Sequence, residues 1–147
     1  MSTKGITKKK LLLYYSRPGS EMTQHLVQKL SSTLDKVRIP ANIKEAGELS
    51  VSQPFVLITP TYENTGAHGR PTSYVPRQVE AFLKHNAQHM LGVIATGNKN
   101  YLDEYGRAGD DIRDRFGVHL FCKVEYSGTQ EDIDNIDQGL KLLWQSL

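Results

Sequence analysis

Three short polar stretches of this 147-residue chain carry side chains suited to holding a flat, anionic ligand. The first reads Ser16-Arg17-Pro18-Gly19-Ser20-Glu21-Met22-Thr23. Hydroxyls of Ser16, Ser20 and Thr23 can donate to a phosphate, and Gly19 lets the backbone come close. A helix starting here offers unpaired N–H groups and a positive dipole end, which bind phosphate. The stretch contains neither Gly-x-x-x-x-Gly-Lys-Ser/Thr nor Gly-x-Gly-x-x-Gly, so it is neither a Walker loop nor a dinucleotide fingerprint. A nest without lysine suits a monophosphate held by neutral donors. Taken alone, the same residues also read as an ordinary serine-rich helix cap.

The second stretch is Thr59-Pro60-Thr61-Tyr62-Glu63-Asn64-Thr65-Gly66. A flavin ring needs an aromatic stack and backbone groups along its polar edge. Tyr62 is a stacking candidate, Gly66 could permit a peptide flip near N5, and Thr61 and Asn64 join the candidate set. The third stretch is Thr96-Gly97-Asn98-Lys99-Asn100-Tyr101, continuing to Tyr105. Asn98 and Asn100 can bond the pyrimidine edge, and Tyr101 can flank the ring. A valine at Gly97 would crowd the ring edge. Thr96 and Tyr105 complete the set. Each of the last two stretches alone is also an ordinary surface loop or turn. All three follow apolar runs, and in an open α/β sheet ligands sit outside the carboxyl ends of the strands. The three loops together predict one site, for FMN.

Other chemistry is weaker. The five histidines lack zinc-ligand spacing, and the pair His85 and His89 straddles an expected helix end. Cys122 reads as a small buried hydrophobe in a strand. Arg107 and Asp110 read equally as a surface ion pair or as functional groups. Glu63 and Glu131-Asp132 form no paired-carboxylate arrangement.

The elements that must position these loops follow from periodicity. Residues 10–15 form a first strand. Residues 20–34 carry Met22, Leu26, Val27, Leu30 and Leu34 on one helical face. Val37-Arg38-Ile39-Pro40 is a brief strand, and 41–53 shows no helical stripe. Residues 55–59 form a third strand. In the loop 61–74, Gly66, Gly69 and Pro71 argue against regular structure. A helix with Pro76 in its first turn runs to about residue 86. A fourth strand spans 91–96, a helix spans 108–116 with Gly117 as its C-terminal cap, and a fifth strand spans 119–126. The last helix carries Ile133, Ile136, Leu140, Leu143 and Leu147 on one stripe, with Trp144 beside it and Thr129 as cap. Strands alternating with helices imply a parallel sheet covered on both faces. The expected fold is α/β, a flavodoxin-like three-layer sandwich with a five-stranded parallel sheet of order 2-1-3-4-5. Its second crossover helix is shortened or absent. Residues 1–8 are expected to be a frayed lead-in and 9–147 a flavodoxin-like FMN-binding domain.

Composition narrows the class. The net charge is +2 and the pI near 8.6, too mild and too dispersed for nucleic acid. Flavin shuttles that dock on basic partners are expected to be acidic, and this chain is not. Its one cysteine excludes an intrachain disulfide and points to the cytoplasm. No apolar run is long enough to span a membrane, and 11–15 is too short for a signal-peptide core. A monomer is the default expectation.

Several segments resemble one family. They are Val37-Arg38-Ile39-Pro40, Val75-Pro76-Arg77-Gln78-Val79 and Gly92-Val93-Ile94-Ala95-Thr96-Gly97-Asn98-Lys99-Asn100-Tyr101. Two more are Glu104-Tyr105-Gly106-Arg107-Ala108-Gly109-Asp110 and Gly128-Thr129-Gln130-Glu131-Asp132-Ile133. The chain resembles the NrdI family, flavodoxin-like flavoproteins that work with class Ib ribonucleotide reductase. The resemblance implies bound FMN, a flavin or flavodoxin reductase as electron source, and the dimanganese small subunit of the reductase as partner. In that family, reduced flavin reacts with oxygen and passes superoxide or peroxide through a channel to the metal site, supporting tyrosyl radical formation. Carried over, Ser16, Ser20 and Thr23 would hold the phosphate. Tyr62 and Gly66 would lie near the isoalloxazine, with Asn98 and Tyr101 on its other side. The family's phosphate loop usually reads Ser-Glu-Asn-Thr. Here it is Ser20-Glu21-Met22-Thr23, lengthened by Arg17-Pro18-Gly19, and Met22 donates no hydrogen bond. The loop after Tyr62 is longer than a glycine run and carries His68 and Arg70. A general flavodoxin-type electron carrier and a flavin-free interaction module are the alternative readings.

Overall fold

A computed structural model of the chain describes residues 10–62, 64–65 and 71–147. The expected lead-in over 1–8 lies outside the described residues, as does Gly66. In chain order the elements are β1 (Leu11–Tyr14), α1 (Met22–Lys29), β2 (Asp35–Arg38), α2 (Ile43–Glu48), β3 (Phe55–Pro60) and a ribbon of β4 (Asn64–Thr65) and β5 (Pro71–Ser73). Then follow α3 (Arg77–Asn86), β6 (Met90–Gly97), α4 (Arg107–Phe116), β7 (His119–Glu125) and α5 (Gln130–Gln145), with 3-10 turns at Ala87–His89 and Lys99–Glu104.

The main sheet is parallel, in the order β2-β1-β3-β6-β7, which is the expected 2-1-3-4-5 counted along its five strands. Its central strands are apolar on both faces, as a doubly covered parallel sheet requires. Alternation along β1 sends Leu11 and Leu13 into one core with Val79 and Phe82 of α3 and Ile112 of α4. Leu12 and Tyr14 enter the opposite core with Leu26 and Val27 of α1 and Ile133, Ile136 and Leu140 of α5. These two cores make the three layers.

The structure departs from the sequence reading in several elements. Helix α1 is shorter than 20–34: it starts at Met22 and stops at Lys29, because Leu30 turns extended with ψ 163°. Leu30 and Leu34 are buried all the same, reached by a loop rather than a helix. Met22 is 43% exposed instead of facing inward. Strand β2 lies two residues earlier than 37–40. The second crossover helix, α2, is shortened as expected, to six residues, and is capped by the Asn42 side chain. It shows no stripe because Ala46 is its buried residue. The stretch 61–74 is not wholly irregular: β4 and β5 pair antiparallel, Asn64 opposite Ser73. Pro71 begins its strand, a position where the missing N–H is tolerated. Pro76 is the N-cap of α3 rather than part of its first turn. Leu147 lies beyond α5 and is exposed. As expected, Gly117 caps α4 in the left-handed region, with φ 67°.

Candidate cofactor site

Strands β1, β3 and β6 all point their carboxyl ends to one edge of the sheet, and the loops leaving them enclose a cleft of about 740 Å³. At one end lies the start of α1. Its N-cap, Glu21, has φ 54° and ψ 25° and makes no side-chain cap. The Glu21 N–H bonds the Arg17 carbonyl at 3.0 Å, closing the loop on itself. The Gln24 N–H is taken by Ser16 Oγ at 3.0 Å, and the His25 N–H by the Glu21 carbonyl. That leaves the N–H groups of Met22 and Thr23 without a partner among the described residues, and both residues line the cleft. Thr23 Oγ1 lies 3.4 Å from Thr96 Oγ1, so a buried hydroxyl pair joins the first loop to the third. Two free N–H groups at the positive end of a helix, with Arg17 nearby, have the chemistry to receive a dianion.

The other end is aromatic. Tyr62 meets Tyr15 edge to face, with centroids 6.2 Å apart, and Arg17 lies over the Tyr62 ring at 5.8 Å. The Tyr62 hydroxyl is buried and has no hydrogen-bond partner among the described residues. Burial pushes its pKa up, and the neighbouring Tyr15 hydroxyl adds to the rise, while Arg17 opposes it. Tyr15 thus acts on that hydroxyl without reaching hydrogen-bond geometry. Tyr74 bonds back to Tyr62 through their backbones at 2.8 Å, and Arg107 stacks over the Tyr74 ring at 5.2 Å. Arg107 therefore does not pair with Asp110, whose carboxylate is held by Arg113 and Lys123.

The structure brings Arg17, Ser20, Met22, Thr23, Thr61 and Tyr62 to the cleft, together with Thr96, Gly97, Asn98 and Tyr101. Ser16 is buried behind the wall, its Oγ accepting from Gln24. Gly19, with φ 92°, makes the turn that lets the loop fold back. Asn100 is exposed beside the cleft, its N–H bonded to Asn98 Oδ1. Tyr105 supports the third loop from behind, within 3.4 Å of where a Cβ on Gly97 would sit. That Cβ would also lie 3.0 Å from the Gly106 nitrogen, so a larger residue at 97 presses on the loop's own backbone. Asn64 is placed by its backbone in β4. Tyr15, Tyr74, Glu104 and Tyr126 line the cleft and escaped the sequence reading. Tyr126 had a usable signal, since it directly follows the fifth strand and so falls on the same edge.

A phosphate receptor at a helix start, an aromatic wall and a buried hydroxyl in want of a partner fit FMN. A 2-1-3-4-5 parallel sheet with such a cleft across its carboxyl edge defines a flavodoxin-like flavoprotein. A solved short-chain flavodoxin associated with a non-canonical PDU bacterial microcompartment shares the fold. The TM-score is 0.59 at 15% identity, covering 95% of this chain and 99% of that one. The family model described as NrdI Flavodoxin like matches residues 12–138. Protein NrdI of Escherichia coli O139:H28 (strain E24377A / ETEC) is 43% identical over 136 residues, 91% of this chain and 93% of the relative. Protein NrdI of Shigella boydii serotype 18 (strain CDC 3083-94 / BS512) matches to the same extent. The chain belongs to the NrdI family. Proteins of this family bind FMN, and the family is associated with ribonucleotide reductase.

Proposed function

We propose that this protein supports class Ib ribonucleotide reductase by supplying an oxygen-derived oxidant, superoxide or peroxide, for assembly of the dimanganese-tyrosyl radical in the small subunit. A flavin or flavodoxin reductase is its electron source. The observation that carries the reading is the convergence of three strand-end loops on one cleft in a chain of this family. Bound FMN supplies one- and two-electron redox chemistry there. The chain's own part is to bind and orient. Thr23, the free N–H groups of Met22 and Thr23, and Arg17 hold the phosphate, and Ser20 closes that end. Tyr62 and Tyr101 flank the ring, and Asn98 serves its polar edge. Met22, Tyr101, Leu102 and Tyr126 are large apolar side chains exposed around the mouth, between 43% and 80%. A partner seated there would cover them and exclude water from the cleft. The protein acts as a monomer, residues 9–147 forming one domain, in the cytoplasm.

The test has two stages. A visible spectrum and a fluorescence titration with FMN should show a shifted flavin band and saturable quenching. Reduced protein, oxygen and the manganese-loaded small subunit should then yield tyrosyl radical by electron paramagnetic resonance, and omission of this protein should abolish it. Tight FMN binding without radical formation would favour the general electron carrier, and absence of FMN binding would favour a flavin-free interaction module.

A further inference from the structure

We infer that Arg38, on strand β2, is a positioning residue that clamps the phosphate loop and cancels the charge of Glu21 beside the phosphate. The inference rests on the reading of that loop as the FMN phosphate site. A carboxylate at a helix start is normally favourable, because it meets the positive end of the dipole. Here the same positive end has to serve a dianionic ligand, so an unpaired Glu21 would compete with it and repel it. The structure turns Glu21 away from that role. Its side chain caps no N–H of α1, and its Oε1 instead accepts from Arg38 Nη2 at 2.7 Å. Arg38 Nη2 also donates to the Ser16 carbonyl at 3.0 Å, so one guanidinium holds both ends of the loop that runs from 16 to 21. Its Nη1 reaches Gln24 Oε1 at 3.5 Å, and the Tyr14 hydroxyl donates to that same oxygen at 2.6 Å.

Only a planar fork meets three acceptors set around it in this way. The grip has a backbone consequence. Glu21 sits at φ 54°, a conformation that L side chains adopt at a cost, and it sets the direction in which α1 leaves the loop. Arg38 thus acts on the phosphate through Glu21 and the loop, without lining the cleft itself.

The experiment measures dissociation constants for FMN and riboflavin by flavin fluorescence quenching. The proteins are the wild type, Arg38→Gln, Arg38→Lys, Glu21→Gln and the double variant Glu21→Gln/Arg38→Gln. Riboflavin lacks the phosphate, so it reports on the ring site and on folding. Arg38→Gln should weaken FMN roughly tenfold and leave riboflavin nearly unchanged. Adding Glu21→Gln should restore most of the lost FMN affinity, and Glu21→Gln alone should bind FMN at least as well as wild type. Arg38→Lys, which keeps the charge but loses the fork, should fall between wild type and Arg38→Gln in its preference for FMN. Equal losses for both ligands in Arg38→Gln, or no recovery in the double variant, would reduce Arg38 to a support of the fold and overturn the inference. A wild type that prefers FMN, with the preference unchanged in Arg38→Gln, overturns the inference alone. A wild type with no preference for FMN overturns the phosphate assignment and the inference with it.

Discussion

Tyr62→Phe offers a test with a sign that ordinary intuition gets wrong. The hydroxyl of Tyr62 is buried and unpartnered among the described residues, while its ring packs edge to face on Tyr15. A buried polar group left without a partner costs about 1–3 kcal/mol. Phenylalanine keeps the ring and deletes that cost. The FMN-free variant should therefore be more stable than wild type by about 1 kcal/mol, the low end because the ring is only partly buried. If FMN gives the hydroxyl its missing partner, the gain is confined to the free protein. By linkage the FMN dissociation constant then rises roughly fivefold. Urea unfolding with and without FMN, followed by a fluorescence titration, reads both effects. A variant less stable than wild type without FMN would show that the hydroxyl is already hydrogen-bonded. A stabilised variant with an unchanged FMN affinity would show that the hydroxyl does not face the cofactor.

Three further outcomes are expected. Thr23→Ala removes a buried hydroxyl from the phosphate end and from its contact with Thr96, so FMN affinity should fall roughly tenfold in the same titration. Gly97→Val should cost about 1–3 kcal/mol in urea unfolding, because its side chain meets the backbone nitrogen of Gly106. It should also weaken FMN by shifting the third loop, and unchanged FMN binding would remove that loop from the site. Burial, reinforced by the charge of Asp132, pushes the Cys122 thiol up to about 11. Its alkylation at pH 8 should be slower than that of a free cysteine. A raised thiol favours the folded state below the ordinary thiol range and loses that contribution as pH climbs through about 11. Cys122→Ala should therefore lose less stability than wild type between pH 8 and pH 10, and equal losses would place the thiol in open solvent.

The parts of the molecule readable from sequence are those marked by local patterns of apolar residues. The central strands announce themselves as short continuous apolar runs bounded by turn residues, and α5 because its apolar residues recur at helical spacing. The same logic misleads at Leu30 and Leu34, which keep helical spacing and are buried, yet sit in a loop after α1 has ended. Burial was correctly read there and conformation was not. Helix α2 is invisible for the opposite reason: six residues with one buried alanine carry no stripe, and only the Asn42 cap marks it. At the cleft, Tyr62 and Asn98 could be found because they directly follow strands, and Thr23 because it opens the helix after the first strand-end loop. Arg38 could not. It belongs to a neighbouring strand, and nothing in its local sequence says that it reaches across β1 to residues 16 and 21.

The backbone around the cleft argues that its rim is shaped by the site rather than by local preference. Among the described residues, Glu21, Leu102 and Tyr126 are the non-glycine residues with positive φ, at 54°, 53° and 55°. They stand in the loops after β1, β6 and β7, at one edge of the sheet. Such conformations cost of order 1–3 kcal/mol each and persist only where surrounding contacts over-determine them. Those contacts are present. Glu21 is fixed by Arg38, and Tyr126 donates its N–H to the Gly97 carbonyl at 3.0 Å. The Leu102 carbonyl accepts from Tyr105 at 2.9 Å, within a turn that also bonds Tyr101 to Asn98. At the other end of the sheet, where α4 passes into β7, the left-handed position is filled by Gly117 at no such cost. Local strain thus gathers at the edge that carries the cleft, together with the exposed apolar side chains of Met22, Tyr101, Leu102 and Tyr126. A rim strained and apolar in the free protein can gain from being covered. That gain is what a partner seated over the cofactor would collect.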